Sequence, residues 1–476
     1  MSVQVHILLR MPYSQPHESP EDAAYADTPS NAPEPSESSR RFFLILTSVT
    51  AAIGGFLFGY DTAVISGAIL FVRRDLHLTA AQTEFAVSIV LAGALIGAAL
   101  GGYLGDRFGR RRTLVITAIV FGVFGLTTGL AAGLWPFVLS RFLVGCAVGV
   151  SSMLAPLYIA ELAPKHIRGA LVTLSQLAIS TGVVVAYYVD YLLAAGGNWR
   201  WMFISALVPS VILLLGLIYL PESPRWLAAE GRFAEAASVL ARAESAAEVR
   251  EDLKQLQVVT ATDNVSFRDL AQHRFRKPLL VGIVLAVIQQ VTGVNTIVYY
   301  APTILQMVGF GSAGNAILAT FLIGFVGLLT TIVSMFLVDR VGRRILLLVS
   351  IGGMGISLVH LAWTLGGAHP TKWVVLTDIL VYLAAFDIGL GPVFWLLISE
   401  IYPTTVRAEA MSLATMANWG SNFLVAATFL SLVDHLGMRG SFLLFAALCF
   451  VAFLFAAYMV PETRGRTLEQ IESSWR

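Results

Sequence analysis

Apolar stretches of about 20 residues recur along most of the chain, and no other feature restricts its fold so strongly. A helix of about 20 apolar residues crosses the roughly 30 Å of hydrocarbon in a bilayer. Within lipid, backbone polar groups must be satisfied internally, which helices do segment by segment. The alternative, one large soluble core, needs helices with a polar face, and most of these runs have none. The chain is 13% charged, about half the share of a soluble domain. The expected class is an all-α membrane protein.

Twelve spans are predicted, over about 42–71, 84–104, 113–133, 135–159, 169–192, 199–220, 278–307, 314–338, 345–366, 373–399, 408–433 and 440–460. The connections on one side hold 25 of the 31 Lys and Arg and those on the other side five, with Arg141 inside a span. Short loops rich in Lys and Arg mark the cytoplasmic side. Both termini are therefore expected in the cytoplasm, with the protein in the inner (plasma) membrane. Residues 1–41, rich in Pro, Ser and acids, read as a disordered cytoplasmic tail. "VQVHILLR" within them is too short and poorly flanked for a signal peptide. Residues 42–220 and 278–460 form an N-terminal and a C-terminal six-helix bundle. A polar, helical cytoplasmic linker over 221–277 joins them, and a cytoplasmic tail follows over 461–476. Cys146 and Cys449 fall inside spans and form no CxxC pair, and the eight His lack metal-ligand spacing. A net charge of +1 offers nothing to nucleic acid.

The halves repeat one another. "DRFGRRR" at 106–112 returns as "DRVGRR" at 339–344, 233 residues on. Glu161, Pro164 and Arg168 return 239 residues later as Glu400, Pro403 and Arg407, and "PESPRWL" is echoed by "PETRGRTLEQ". Parallel repeats with a site between them at mid-membrane describe a secondary transporter. From residue 42 onward the chain resembles the sugar porter family of the major facilitator superfamily. The resemblance rests on "GYDTAVISG", "DRFGRRR", "YIAELAPKHIRG", "PESPRWL", "QQVTGVNTIVYYAP", "DRVGRR", "GPVFWLLISEIYP" and "PETRGRTLE" in that order. It implies the twelve-helix fold in two pseudo-symmetric bundles and a monosaccharide-like substrate.

No nucleotide site supplies energy. The chain has no Gly-Lys dipeptide and hence no P-loop, and its GxGxxG, "GFGSAG", lies between two helices rather than after a strand. Nothing resembles a catalytic triad, so the protein is not expected to be an enzyme or to need a cofactor. The substrate signal is a set of amides and aromatics within spans: Gln176, Gln289, Gln290, Asn295, Tyr299, Trp395, Asn418, Trp419 and Asn422. Carboxamides donate and accept through separate atoms, which suits a neutral polyol, and an indole face suits its C–H surface. Each amide alone is as readily interhelical glue. Gln290 and Asn295 would face apart on an unbroken helix, but Gly293 between them allows a break. The resemblance assigns sugar contacts to Gln176, Gln289, Gln290, Asn295, Trp395 and Asn418, and a pocket-lining role to Phe58. The chain departs from the family at Gly327, where many members carry Asn, and at Val183, where the xylose–proton symporter has a second Gln. With Asn418, Val183 favours a hexose over a pentose.

Arg107, Arg110, Arg111, Glu161, Arg168, Glu222, Arg225, Arg340, Arg343, Arg344, Glu400 and Arg407 fall at the inner ends of spans. Positive-inside anchoring accounts for part of this set. The resemblance implies that the set pairs across the halves as a cytoplasmic gate when the outer side is open. Gly93, Gly97 and Gly101 have the small-xxx-small spacing of close helix packing.

Asp61 stands within the first span, where an ionisable side chain is a functional signal by default. At 1.5 Å per residue it reaches a depth similar to that of Arg141 in the fourth. A static ion pair is the plain reading and a proton site the sharper one. Desolvation favours the neutral acid and a nearby guanidinium the charged one, so moving Arg141 would switch Asp61. In the family, proton symporters carry Asp at this position. The expected function is proton-coupled symport of a monosaccharide by alternating access, by a monomer in the lipid bilayer with H+ as coupling ion. A sugar uniporter, a proton-coupled polyol (inositol) symporter and a transport-dead sugar sensor are the alternatives.

Overall fold

A computed structural model describes residues 37–164, 168–262, 270, 272–367, 370–403, 406–466 and 470. Residues 1–36 of the expected tail lie outside them. Residues 37–41 instead open the first helix, Glu37–Asp75, where the Arg41–Glu37 ion pair spans one turn at 2.5 Å.

Eleven described helices are long and apolar enough to cross a membrane. The last, Arg407–Met459, contains a non-helical Gly437 (φ 69°, ψ 166°) and so carries the eleventh and twelfth spans. The second to fifth are Ala80–Phe108, Arg110–Gly129, Leu134–Leu162 and Arg168–Ala194, and the eighth and ninth are Ala313–Val341 and Arg343–Leu365. Three spans are built from two helices: the sixth (Trp199–Ile204, Leu207–Tyr219), the seventh (His273–Val291, Val294–Met307) and the tenth (Lys372–Ile388, Leu390–Ile401). Local chemistry sets the ends. A capping box between Thr79 and Gln82 satisfies amides before the second span, and Ser312 caps the eighth by accepting from Asn315 N. The linker holds helices Pro224–Ala229, Phe233–Leu240 and Ala246–Thr262.

Small residues decide the packing. A Cβ on Gly93 would strike the carbonyl of Phe142, and one on Gly97 that of Cys146; Gly145 and Gly149 lie equally close to the second span. The second and fourth spans thus pack backbone to backbone, where dispersion and close approach replace the hydrophobic effect as glue. Gly59 and Gly182 do the same for the first and fifth.

The sequence repeat becomes a repeat of atoms. Gly109 (φ 94°, ψ 151°) and Gly342 (φ 103°, ψ 155°) hold a conformation nearly closed to other residues. At each, a carboxylate, of Glu222 or of Glu462, stands where a Cβ would be. Those carboxylates accept from the amides that open the next span: Arg111 N in one half (2.9 Å), Arg343 N and Arg344 N in the other (3.0 and 3.1 Å). Each acid thereby also neutralises a helix N-terminus.

Candidate functional site

On the arginine-rich side, Arg110 pairs with Asp106 (2.9 Å) and Glu161 (3.3 Å), and Arg343 pairs with Asp339 (3.2 Å) and Glu400 (3.0 Å). Ser223 donates to Glu161 and Thr463 to Glu400. Arg111 donates to the carbonyls of Leu217 and Ile218, Arg344 to that of Ala457 and Arg407 to that of Tyr402. Arg107 lies over Tyr103 and Phe108, and Arg225 is exposed within electrostatic reach of Glu161. The side chain of Arg168 lies outside the described residues. Every ion pair described here stays within one half.

Described contacts between the halves lie in mid-span and toward the opposite side. Both oxygens of the buried Glu84 carboxylate accept from Ser431, from N at 2.7 Å and Oγ at 2.6 Å. Tyr187 donates to Val298 O (3.0 Å), Ser180 Oγ lies 3.3 Å from Thr331 Oγ1, and the Phe58 and Trp419 rings meet at 5.6 Å. The side away from the arginines is the closed one. The expected gate across the halves is not among the ion pairs described on the arginine side.

The central amides come from the seventh and eleventh spans. Gly293 adopts φ 95° and ψ 9°, breaks the seventh span and turns Asn295 back onto Gln290, whose Oε1 accepts from Asn295 Nδ2 at 2.6 Å. Gln290 Nε2 donates to Asn418 Oδ1 (3.1 Å), and Asn418 Nδ2 donates to Gln289 Oε1 (2.7 Å). Gln289 Nε2 reaches the carbonyls of Leu390 (3.2 Å) and Gly391 (3.1 Å). These carbonyls follow the break in the tenth span at Gly389. The groups freed there are met from neighbouring spans: Ser334 donates to Ile388 O (2.8 Å) and Leu390 N donates to Ser350 Oγ (2.9 Å). Asn422 donates to the Tyr299 hydroxyl (3.2 Å). Trp395 is 37% exposed, Gln176 is half-buried without a described hydrogen bond, and the buried indole N–H of Trp419 has no partner. Gln289, Gln290, Asn295 and Asn418 bond one another, and Gln176, Trp395, the Trp419 N–H and the buried Asn422 Oδ1 remain available to a polar guest.

Arg141 Nη1 donates to Asp61 Oδ1 at 2.5 Å, and the guanidinium lies 5.4 Å from the centre of the Phe203 ring. Both residues are buried, at 1% and 5% exposure, and Asp61 Oδ2 and Arg141 Nε have no partner. The pair is close enough to Tyr299 for its charges to act on that phenol. Two sites foreseen separately thus adjoin. Sequence reasoning passed over Asp190, Asp378 and Asp387, although each is an acid in an apolar span, the same signal that marked Asp61.

Residues 47–475 match the family described as sugar (and other) transporter. The chain is 39% identical over 431 residues to the D-xylose transporter of Levilactobacillus brevis, covering 89% of this chain and 94% of that one. It is 36% identical over 432 residues to the galactose-proton symporter of Escherichia coli K12, covering 89% and 92%. Among solved structures it is similar to the inward-open conformation of the xylose transporter XylE from E. coli, with a TM-score of 0.79, 32% identity, and coverage of 91% of this chain and 100% of that one.

Proposed function

Since this chain belongs to the sugar transporter family, with the major facilitator fold, we propose that it couples uptake of one monosaccharide, a hexose rather than a pentose, to entry of a proton. It is a membrane transporter and not an enzyme. The observation that carries the proton is the buried Asp61–Arg141 pair beside the amide cluster. The pair is neutral while Asp61 is ionised and carries one positive charge once Asp61 is protonated, so an acid that alternates between the two states moves one proton per cycle. Relatives named as a galactose-proton symporter and a D-xylose transporter support a sugar as cargo. Asn418 and Val183 support the hexose.

The arginine-rich side is cytoplasmic in this reading, and the conformation described is inward-facing. Gln176, Gln289, Gln290, Asn295, Trp395 and Asn418 hold the sugar, with Phe58, Tyr299 and Trp419 around it. The test is uptake of radiolabelled D-glucose, D-galactose and D-xylose into proteoliposomes, with an inward proton gradient imposed and then collapsed. Accumulation should follow the gradient and favour a hexose. Uptake that ignores the gradient would make the protein a uniporter, and preference for D-xylose would reverse the assignment of cargo.

A further inference from the structure

Four aspartates lie well inside the spans, and they differ in their partners. Asp61 has Arg141, Asp378 has His360 at 2.8 Å, and Asp190 accepts from Gly67 N at 3.2 Å. Asp387 has no hydrogen bond or ion pair among the described residues. Its carboxylate stands beside the eighth span at Gly327, where a Cβ would lie 2.8 Å from Oδ2. Tyr187, from the other half, packs on Gly324 one turn earlier and is within electrostatic reach of Asp387. Asp387 is partly buried, and its electrostatic contact with Tyr187 reaches across to the other half. Two residues later the tenth span breaks, at the carbonyls that Gln289 engages. The acid thus lies two residues before the backbone that the amide cluster engages.

We propose that Asp387 selects the charge of the cargo: ionised, it takes the ammonium group of an amino sugar, and protonated, it admits a neutral monosaccharide. The proposal rests on the sugar-carrier reading above and extends its substrate class. When both sides close around a sugar, the surroundings of the amide cluster lose water, and an isolated carboxylate there is costly. It must then carry a proton or meet a cation. Among the described residues no charged side chain of the seventh, eighth or ninth span pairs with it. The phenol facing it from the fifth span, Tyr187, already donates to Val298 O. Any cation that meets the ionised acid comes with the cargo. Gly327 has no side chain to fill the space beside the carboxylate.

The test uses purified full-length protein and displacement of radiolabelled D-glucose by D-glucosamine and its isomers aminated at other carbons. At least one amino sugar should compete, and more strongly at about pH 7 than at about pH 5.5, because proton and ammonium contend for one carboxylate. Asp387→Asn should lower the ratio of amino-sugar to D-glucose affinity by at least about tenfold, the loss of one charge-assisted contact. Gly327→Ala, which displaces the carboxylate without removing it, should lower the same ratio. An unchanged ratio in both variants, or no competition by any amino sugar against bound D-glucose, overturns the proposal. Failure of D-glucose, D-galactose and D-xylose alike to bind the wild type would overturn the sugar reading itself, a different result.

Discussion

Replacing Asp61 by Asn fixes the proposed proton site in its neutral shape. The structure sets the cost of that change. Arg141 is 1% exposed and loses its counter-ion, and breaking a buried pair typically costs about 3–5 kcal/mol. The amide oxygen still accepts from Nη1 and the Phe203 ring still lies beneath the guanidinium, so the loss should stay at or below the lower end of that range. The variant should fold. Its transport should change in kind. One proton per sugar under an inward gradient of about two pH units allows about 100-fold accumulation at zero membrane potential, since each unit is about 1.36 kcal/mol. Asp61→Asn should hold accumulation near unity while equilibrium exchange of labelled sugar across proteoliposomes continues. If the variant still concentrates sugar when the gradient is imposed, the proton travels on another residue. If exchange is lost as well while the protein remains folded, the pair is structural.

Other outcomes follow from the same geometry. Gln290→Ala strands Asn295 Nδ2 and Asn418 Oδ1, each an unsatisfied group worth about 1–3 kcal/mol; sugar affinity measured on purified protein should fall at least about tenfold, and Trp395→Ala should weaken it through loss of the apolar platform. Gly93→Ala forces a methyl into the Phe142 carbonyl and should cost about 1–3 kcal/mol as overpacking, whereas Gly101→Ala, with its nearest contact at 3.4 Å, should leave the thermal midpoint in detergent unchanged. Glu84→Ala removes two charge-assisted bonds between the halves, each worth about 1.5–3 kcal/mol. It should open the side away from the arginines, read as at least about tenfold faster labelling from that side of a cysteine placed at Leu95, which faces Gly420 across the halves.

Features set by local chemistry or by depth could be read from the sequence. Apolar length gave the spans, the depth of Asp61 and Arg141 put them opposite one another, and the need to turn Asn295 toward Gln290 marked Gly293 as a break. Features set by distant side chains could not. The tenth span reads as continuous over 373–399, yet it breaks at Gly389 because Ser334, Ser350 and Gln289, from three other spans, satisfy the backbone groups that the break exposes. The cap on each inner turn was visible only as a repeated Glu, since its partners are backbone amides more than 100 residues away. The pairing across the halves that the resemblance implies is not described, because the arginines at the inner ends have acids, carbonyls or rings of their own half within reach.

In the proposed cycle, coupling needs no long path. Phe58 and Asp61 are three residues apart and share a face of the first helix. Phe58 meets Trp419, the neighbour of Asn418 in the amide cluster, while Asp61 holds Arg141. Tyr299, bonded to Asn422, adjoins both sites from the other half. Protonating Asp61 releases the guanidinium and lets the first helix shift, and any shift moves Phe58 against the indole beside the sugar. A sugar that fixes Trp419 biases the same helix. Each ligand then favours the state the other prefers, so proton and sugar must raise one another's affinity by an equal factor. With Asp387→Asn as the common parent, adding Asp61→Asn should therefore leave a sugar affinity independent of pH in the range where the parent gains affinity on acidification. Equal pH dependence in the two proteins would show that the link runs elsewhere.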